Sequence, residues 1–403
     1  MILLKNCRLI PELSGGVECD HAVVAIADDR IVSVKDQMDM CIAPDLTIDC
    51  GGKTLLPGLI DLHIHLTTAG CGIGIEYADD FDLLKKACRN AKSYLAHGFT
   101  TVRDMGSTNG VASVVRDMIR EGLLQGPRIF SSGRIILPTG ILERNDRNTA
   151  YHSASGVEEI HRAVREEIGE SHADVVKIYA SGSAYNPGGE PTKAIMTREE
   201  IAAAVEMAGF RGRKVAAHCH SNTAIHYCID AGVYTIEHAS YIDDAGIEKM
   251  QRLNHSAYLV PTMTPYSYVE GSNPDPQQDH RASIVRKEMG QAIAPHMHAA
   301  YQAGLPLGFG TDVADGNYLT NGIGAEFRMR KELCGMRDLD ILKQATVISA
   351  EILGMQGEIG EIREGYHADL ILVNGEPDID ISAMYKLPNL VLKSGKIAVE
   401  NVH

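Results

Sequence analysis

Between residues 58 and 312 eight short apolar segments alternate with amphipathic stretches, and this alternation narrows the possible folds more than any other feature of the chain. The segments are GLIDLHIHL, FTTVRDM, RIFSSG, DVVKIYAS, KVAAHCH, VYTIEHA, AYLVPT and PLGFGTD. Between them, DDFDLLKKACRNAKSYLAHG, SGVEEIHRAVREEIGE and TREEIAAAVEMAGFRG carry apolar residues at helical spacing, and TREE offers a capping box. A strand followed by a helix, repeated, pairs the strands in parallel and covers them with helices, which predicts a (β/α)8 barrel. Such a barrel takes about 250 residues, and the chain has 403. The remainder lies at both ends, where ILLKNCRLI, HAVVAIADDRIVSV, ADLILVNGE and PNLVLKSGKIAVENV read as strands. The expectation is an α/β chain in which residues 57–356 form the barrel, while 1–56 and 357–403 together build a small β-sandwich domain.

Barrel chemistry sits at the C-terminal ends of the strands. Here the first ends in His63 and His65, the fourth carries Lys177, the fifth ends in His218 and His220, the sixth in His238 and the eighth in Asp312. Residues at i and i+2 share a strand face, so each histidine pair points one way. A single polar group in an apolar strand can be a satisfied core residue. This many at one end would make a costly core without a cation. Imidazole and carboxylate suit a divalent ion, zinc before nickel, manganese or iron. Lys177 is the odd member, because an ammonium repels a dication. It is either a lysine whose amine reaches a surface, or a neutral amine that carbon dioxide converts to a carbamate. The carbamate is an anion whose two oxygens can bridge two ions.

The other candidates read less sharply. Arg103 and Asp104 end the second strand, where a structural ion pair and a substrate contact are both open. His97, His161 and His172 lie on or beside helices and read as packing or surface residues. His296 and His298 imitate the opening motif, but on a helix i and i+2 do not face each other. The Gly- and Pro-rich stretches GSAYNPGGEP (182–191) and EGSNPDPQQDH (270–280) are expected as loops on the site's face of the barrel.

Composition bounds the partners. The formal net charge is −15, which argues against a surface for a phosphate backbone. No run of about 18 apolar residues predicts a membrane span, and the first residues carry no signal-peptide pattern. Nine scattered cysteines without a CxxC pair suit a reducing compartment, so the expected location is cytoplasmic. The expected partner is a small-molecule amide or dipeptide, with neither nucleic acid nor membrane, and the chain is expected to form a homo-oligomer.

Taken together, DLHIH, VVKIYASG, VAAHCH, TIEHAS and GTD resemble the amidohydrolase superfamily, and within it the prolidase-like, Xaa-Xaa dipeptidase subgroup. The likeness covers nearly the whole chain, including KTLLPGLID and GEIREGYHADLILVNG. It implies two divalent ions, zinc foremost: His63 and His65 on the first, His218 and His238 on the second, and carbamylated Lys177 between them. Asp312 would bind the first ion and act as general base. The implied reaction is hydrolysis of a peptide or amide bond, in a dipeptide or an N-acyl amino acid, by a metal-bound hydroxide. Two departures touch the substrate. The subgroup's Thr-Gly-Gly-His segment after strand three is replaced by LPTGILERND (137–146), with Ile141 near the place of the histidine, and its strand-five tyrosine is replaced by His220. His220 and Arg103 are therefore the candidate substrate contacts. Two alternatives stay open: a mononuclear ring-opening amidase or deaminase of the imidazolonepropionase type, with Lys177 unmodified, and a non-catalytic metal-binding protein.

Overall fold

A computed structural model describes residues 1–35, 43–67, 79–141, 150–183, 190–253, 257–267, 276–313 and 324–401. The chain opens with β1 (Ile2–Leu9), β2 (Cys19–Ala27) and β3 (Arg30–Lys35), which pair antiparallel in that order. Next come β4 (Leu46–Asp49) and β5 (Thr54–Pro57), both parallel to β1.

The βα units follow. β6 (Leu59–Ile64), β7 (Phe99–Asp104) and β8 (Arg128–Ser131) form a three-stranded parallel sheet, with α1 (Asp80–Ala96) and α2 (Val111–Arg120) in the crossovers. Then come β9 (Ile135–Leu137), β10 (Tyr151–Ser153), α3 (Val157–Gly169), β11 (Val176–Tyr179), α4 (Arg198–Phe210) and β12 (Val215–Cys219). After these lie α5 (Asn222–Ala231), β13 (Thr235–His238), α6 (Asp244–Arg252) and β14 (Tyr258–Val260). The second parallel sheet has the order β10-β9-β11-β12-β13-β14. The box anticipated from TREE caps α4: the Thr197 hydroxyl accepts from the Glu200 amide at 3.2 Å, and the Glu200 carboxylate accepts from the Thr197 amide at 2.8 Å.

The expected closed barrel is not drawn by continuous ladders. The eighth strand candidate appears as isolated parallel bridges, Leu307 to Leu259, Gly310 to Thr262 and Val313 to Ile64. It thus links β14 on one side with β6 on the other. Its local chemistry explains the broken ladder. A side chain at Gly310 would sit 2.9 Å from the Cβ of His63, so the strands approach closely there, and Asp312 leaves the extended region at φ 53°. Between β8 and β11 the short β9, absent from the eight-strand reading, takes the position beside β11.

After α7 (Pro276–Gln302) and the helix Ala325–Glu332, the chain returns to strands with β15 (Leu370–Val373), β16 (Leu390–Lys393) and β17 (Lys396–Glu400). These join the N-terminal strands in one eight-stranded sheet, β17-β16-β15-β5-β1-β2-β3 with β4 on β1. Strands from both chain ends thus meet in one path, in which β1 and β5 are joined by the single pair Arg8 and Thr54. The sheet is not insulated. On β15, Leu370 and Leu372 face a cluster with Leu4, Val24 and Ile26, while Ile371 and Val373 pack into the main core. Period-2 alternation thus fastens the sheet to the rest of the molecule.

The expected loop at 270–280 lies outside the described residues up to 275, and from Pro276 onward it is helix. Residues 184–189 of the other expected loop, and 142–149 within and beyond the altered segment, also lie outside them. No described helix is long and apolar enough to cross a membrane.

Candidate metal centre

Every histidine anticipated at the strand ends is buried, and they converge. His63 and His65 stand 5.6 Å apart between ring centroids, His63 and His238 4.7 Å, His218 and His238 4.7 Å, and His218 and His220 4.6 Å. Two sets of possible ligand atoms lie within 4.8 Å of one another: His63, His238 and Asp312, and His218, His220 and His238. His65 joins the first set through Asp312, whose Oδ1 lies 3.4 Å from His65 Nε2 and 3.6 Å from His63 Nε2.

Each ring is oriented by the nitrogen that faces away from the centre. His63 Nδ1 meets Glu237 at 2.7 Å, His65 Nδ1 the Gly106 carbonyl at 2.8 Å, His220 Nδ1 the Ser240 hydroxyl at 2.8 Å and His238 Nδ1 the Thr262 hydroxyl at 2.8 Å. Their Nε2 atoms are left for the centre. His218 is the reverse case, with Nε2 3.2 Å from the Gly182 carbonyl and Nδ1 left over. Outer partners of this kind fix tautomer and orientation in metal-binding histidines. The backbone is also unusual here: His238, Ala239 and Asp312 all adopt positive φ, at 67°, 51° and 53°. Non-glycine residues hold such conformations only where the surroundings over-determine them, which is common at functional sites.

The protonation states suit cation binding. Burial pushes His63, His218 and His238 well below the usual imidazole range, with help from the neighbouring cationic groups. Burial and Lys177 bring His220 down to about 3. For His65 burial acts in the same direction, but Asp312 and Asp104 outweigh it and raise the pKa.

Lys177 is the most telling residue. It is 1 % exposed, and its Nζ has no hydrogen-bond partner among the described residues. Burial pushes it down to about 8, against the pull of Glu237 and Asp312. A buried amine without a partner is costly. An unpartnered buried amine suits a group that the protein atoms do not supply.

Arg103 is placed differently from the other candidates. Its side chain is 3 % exposed and donates to the Leu62 carbonyl at 2.7 Å, to Thr235 at 3.2 Å and to Glu237 at 2.9 Å. Glu237, fully buried, thus ties Arg103 to His63. Sequence reading missed Glu237, although a carboxylate inside an apolar strand was the same kind of signal as the histidines. It also missed Thr262, Ser240 and Gly106. Hydroxyls and carbonyls of this kind leave no pattern in a sequence. Asp61, in the opening motif, accepts from Thr311 and from the His63 amide, and burial raises it to about 7. It joins the first strand to the eighth and is not directed at the centre.

Comparison with known proteins places this geometry. Residues 54–399 match the Amidohydrolase family. The chain is 30 % identical over 380 residues to ochratoxinase from Aspergillus niger, which spans 85 % of this chain and 75 % of that protein. The solved structure of a prolidase complexed with N-methylphosphonate-L-proline superposes with a TM-score of 0.87 at 29 % identity and covers 100 % of both chains. A Xaa-Pro dipeptidase with methionine bound in its active site gives 0.84 at 28 % identity, covering 99 % of this chain and 100 % of that one.

Proposed function

Because the chain belongs to the amidohydrolase family, we propose that this hydrolase cleaves the amide bond of a dipeptide or an N-acyl amino acid at the buried histidine centre. The observation that carries the reading is the partnerless Nζ of Lys177 inside a set of histidines whose outer nitrogens are already engaged. Two divalent ions, zinc foremost, held by His63, His65 and Asp312 on one side and by His218 and His238 on the other, would supply Lewis acidity toward an amide carbonyl and toward water. Lys177 would join the two sides as a carbamate. In that modification a nitrogen–carbon bond forms to carbon dioxide and an N–H proton leaves to solvent. The amine becomes an anion with two oxygens.

The protein's own groups then have distinct tasks. Asp312 takes the proton from water and returns it to the leaving nitrogen, the work of a general base that becomes a general acid. Glu237 and Arg103 act one step back, holding His63 in orientation, so Arg103 serves the centre and not the substrate. His220 is assigned to a substrate carboxylate: Ser240 engages its Nδ1 and leaves Nε2 to face the centre. A mononuclear ring-opening or deaminating site with Lys177 unmodified leaves that amine without a partner, and a binuclear site gives it one. Amide hydrolysis separates the amidase from a non-catalytic metal-binding protein.

The test is a panel of dipeptides and N-acyl amino acids incubated with zinc-supplemented protein, with the released amine quantified. Hydrolysis of at least one carboxylate-bearing amide is expected, and His220→Ala should lose more efficiency on the free acid than on its C-terminal amide. No release from any member discards the amidase reading, and equal loss on acid and amide discards the role of His220.

A further inference from the structure

One flank of the centre is polar, with His220 and Ser240, and the flank beside His218 is apolar. Ile135, Leu137 and Tyr179 form a buried cluster, and Ile141, Tyr151 and Ile195 pack against it while staying partly exposed. The cluster lies outside the main core and touches the centre at two places. The Tyr179 ring stacks on His218 with centroids 3.9 Å apart and planes 4° apart. At the other place Ile135 packs under Gly106, the residue whose carbonyl holds His65. A side chain at Gly106 would sit 2.4 Å from Ile135 Cγ1, and the residue's φ is +139°.

The aromatic part is held in place. Tyr151 meets Tyr179 edge to face at 6.1 Å, and the Tyr179 hydroxyl has Ser183 and Tyr151 as side-chain partners. Rings fixed in this way form a recognition surface that loses little conformational freedom when a ligand arrives. Partly exposed apolar side chains that continue directly into a polar catalytic centre are the arrangement of a binding pocket.

Building on the amidase reading, we propose that Ile141, Tyr151 and Ile195, backed by the buried Ile135, Leu137 and Tyr179, form a specificity wall that selects amides bearing a bulky apolar substituent, aromatic by preference. The polar end of such a substrate lies toward His220 and its apolar group against Tyr151, backed by Tyr179. The departure at Ile141 fits this assignment, because an apolar residue there extends the wall.

The experiment uses two matched sets of free acids with zinc-loaded protein. One varies the acyl group on glycine (acetyl, hexanoyl, benzoyl), and the other varies the amino acid under an acetyl group (glycine, leucine, phenylalanine). In at least one set kcat/KM for the phenyl-bearing compound should exceed that of the smallest by about tenfold or more, the scale on which apolar pockets discriminate. Tyr151→Ser and, independently, Ile141→Asn should bring that ratio to within about threefold, while Tyr151→Phe preserves it. Absence of a preference in both sets, or an unchanged ratio in Tyr151→Ser and Ile141→Asn, overturns the wall. Dissociation constants for the same compounds, measured by calorimetry, give the ratio without turnover. Failure to hydrolyse any of them while the binding preference and its loss in the variants persist refutes the amidase reading and upholds the wall.

Discussion

Among the described residues, Lys393 and Lys177 are both largely removed from water, and they are treated in opposite ways. Lys393, in the terminal sheet, reaches both oxygens of Asp369 at 2.9 and 3.0 Å and the Ser394 hydroxyl at 3.1 Å. Asp369 also receives Arg128 at 2.8 Å, which ties β8 to the terminal sheet. Lys177, more deeply buried, has no such partner among the described residues. Glu237 exerts the strongest attraction on it, yet that carboxylate is already engaged by His63 and Arg103. A buried charge that holds a fold together is paired, since the unpaired alternative costs several kcal/mol. Under the binuclear function proposed above, the unpaired amine is a ligand that becomes complete only as a carbamate. Strongly perturbed groups of this kind concentrate at functional sites.

If that contrast is right, removing each lysine should have opposite consequences. Lys177→Met should lower amide turnover by about 10³-fold or more, because the site loses metal-derived stabilisation worth several kcal/mol. With metal stripped from both proteins, the variant's thermal midpoint should hold or rise, since a desolvated amine is replaced by an apolar chain of similar length. Lys177→Arg should not rescue activity, because guanidinium stays protonated. A turnover assay beside a melting curve reads both, and wild-type turnover in either variant breaks the contrast.

Lys393→Met should do the reverse. Asp369 would keep Arg128 and the Ser394 amide, so the loss should be a part of the about 3–5 kcal/mol that breaking a buried pair costs. Denaturant unfolding should show that loss while activity per folded molecule is kept. Glu237→Gln tests the intermediate case. It weakens the link between Arg103 and His63, and loss of such outer partners lowers metal affinity by about 10–100-fold. A zinc competition titration measures it, and an unchanged affinity would show that Glu237 does not support His63.

The smallest effect is in acid. Burial pushes the Asp369 carboxyl up, but Lys393 and Arg128 outweigh it and hold it at about 2, against 3.8 for a free carboxyl. For Lys393 itself burial wins and its pKa falls. With the folded pKa below the unfolded one, the unfolded chain binds more protons between the two values, so stability rises with pH there. The contribution, about 2 kcal/mol, is complete above about pH 4–5 and is lost as pH falls toward 2. Acid unfolding of wild type against Asp369→Asn should show this window closing in the variant.

How much of this was legible in the sequence depends on the kind of signal. The main βα units were readable because periods of 2 and 3.6 persist over enough residues. The strands β9 and β10, three residues each, are too short to carry a period. The eighth segment read as a strand, but Gly310 and the left-handed Asp312 reduce it to bridges. The candidate ligands stood out because polar side chains interrupted apolar strands. Arg103 stood out for the same reason, yet its donors point to Leu62, Thr235 and Glu237. Composition along one strand cannot tell a group aimed at a cavity from one aimed at a neighbouring strand. The wall around Tyr179 was hidden because its members come from separate segments that meet only in the fold.

The central claim, that Lys177 completes a two-ion centre, is tested most directly by counting zinc per chain in wild type and Lys177→Met after removal of loosely held metal. The account predicts about two ions in the wild type, as for a two-metal site, and fewer than one in the variant. Equal counts in the two proteins would contradict it.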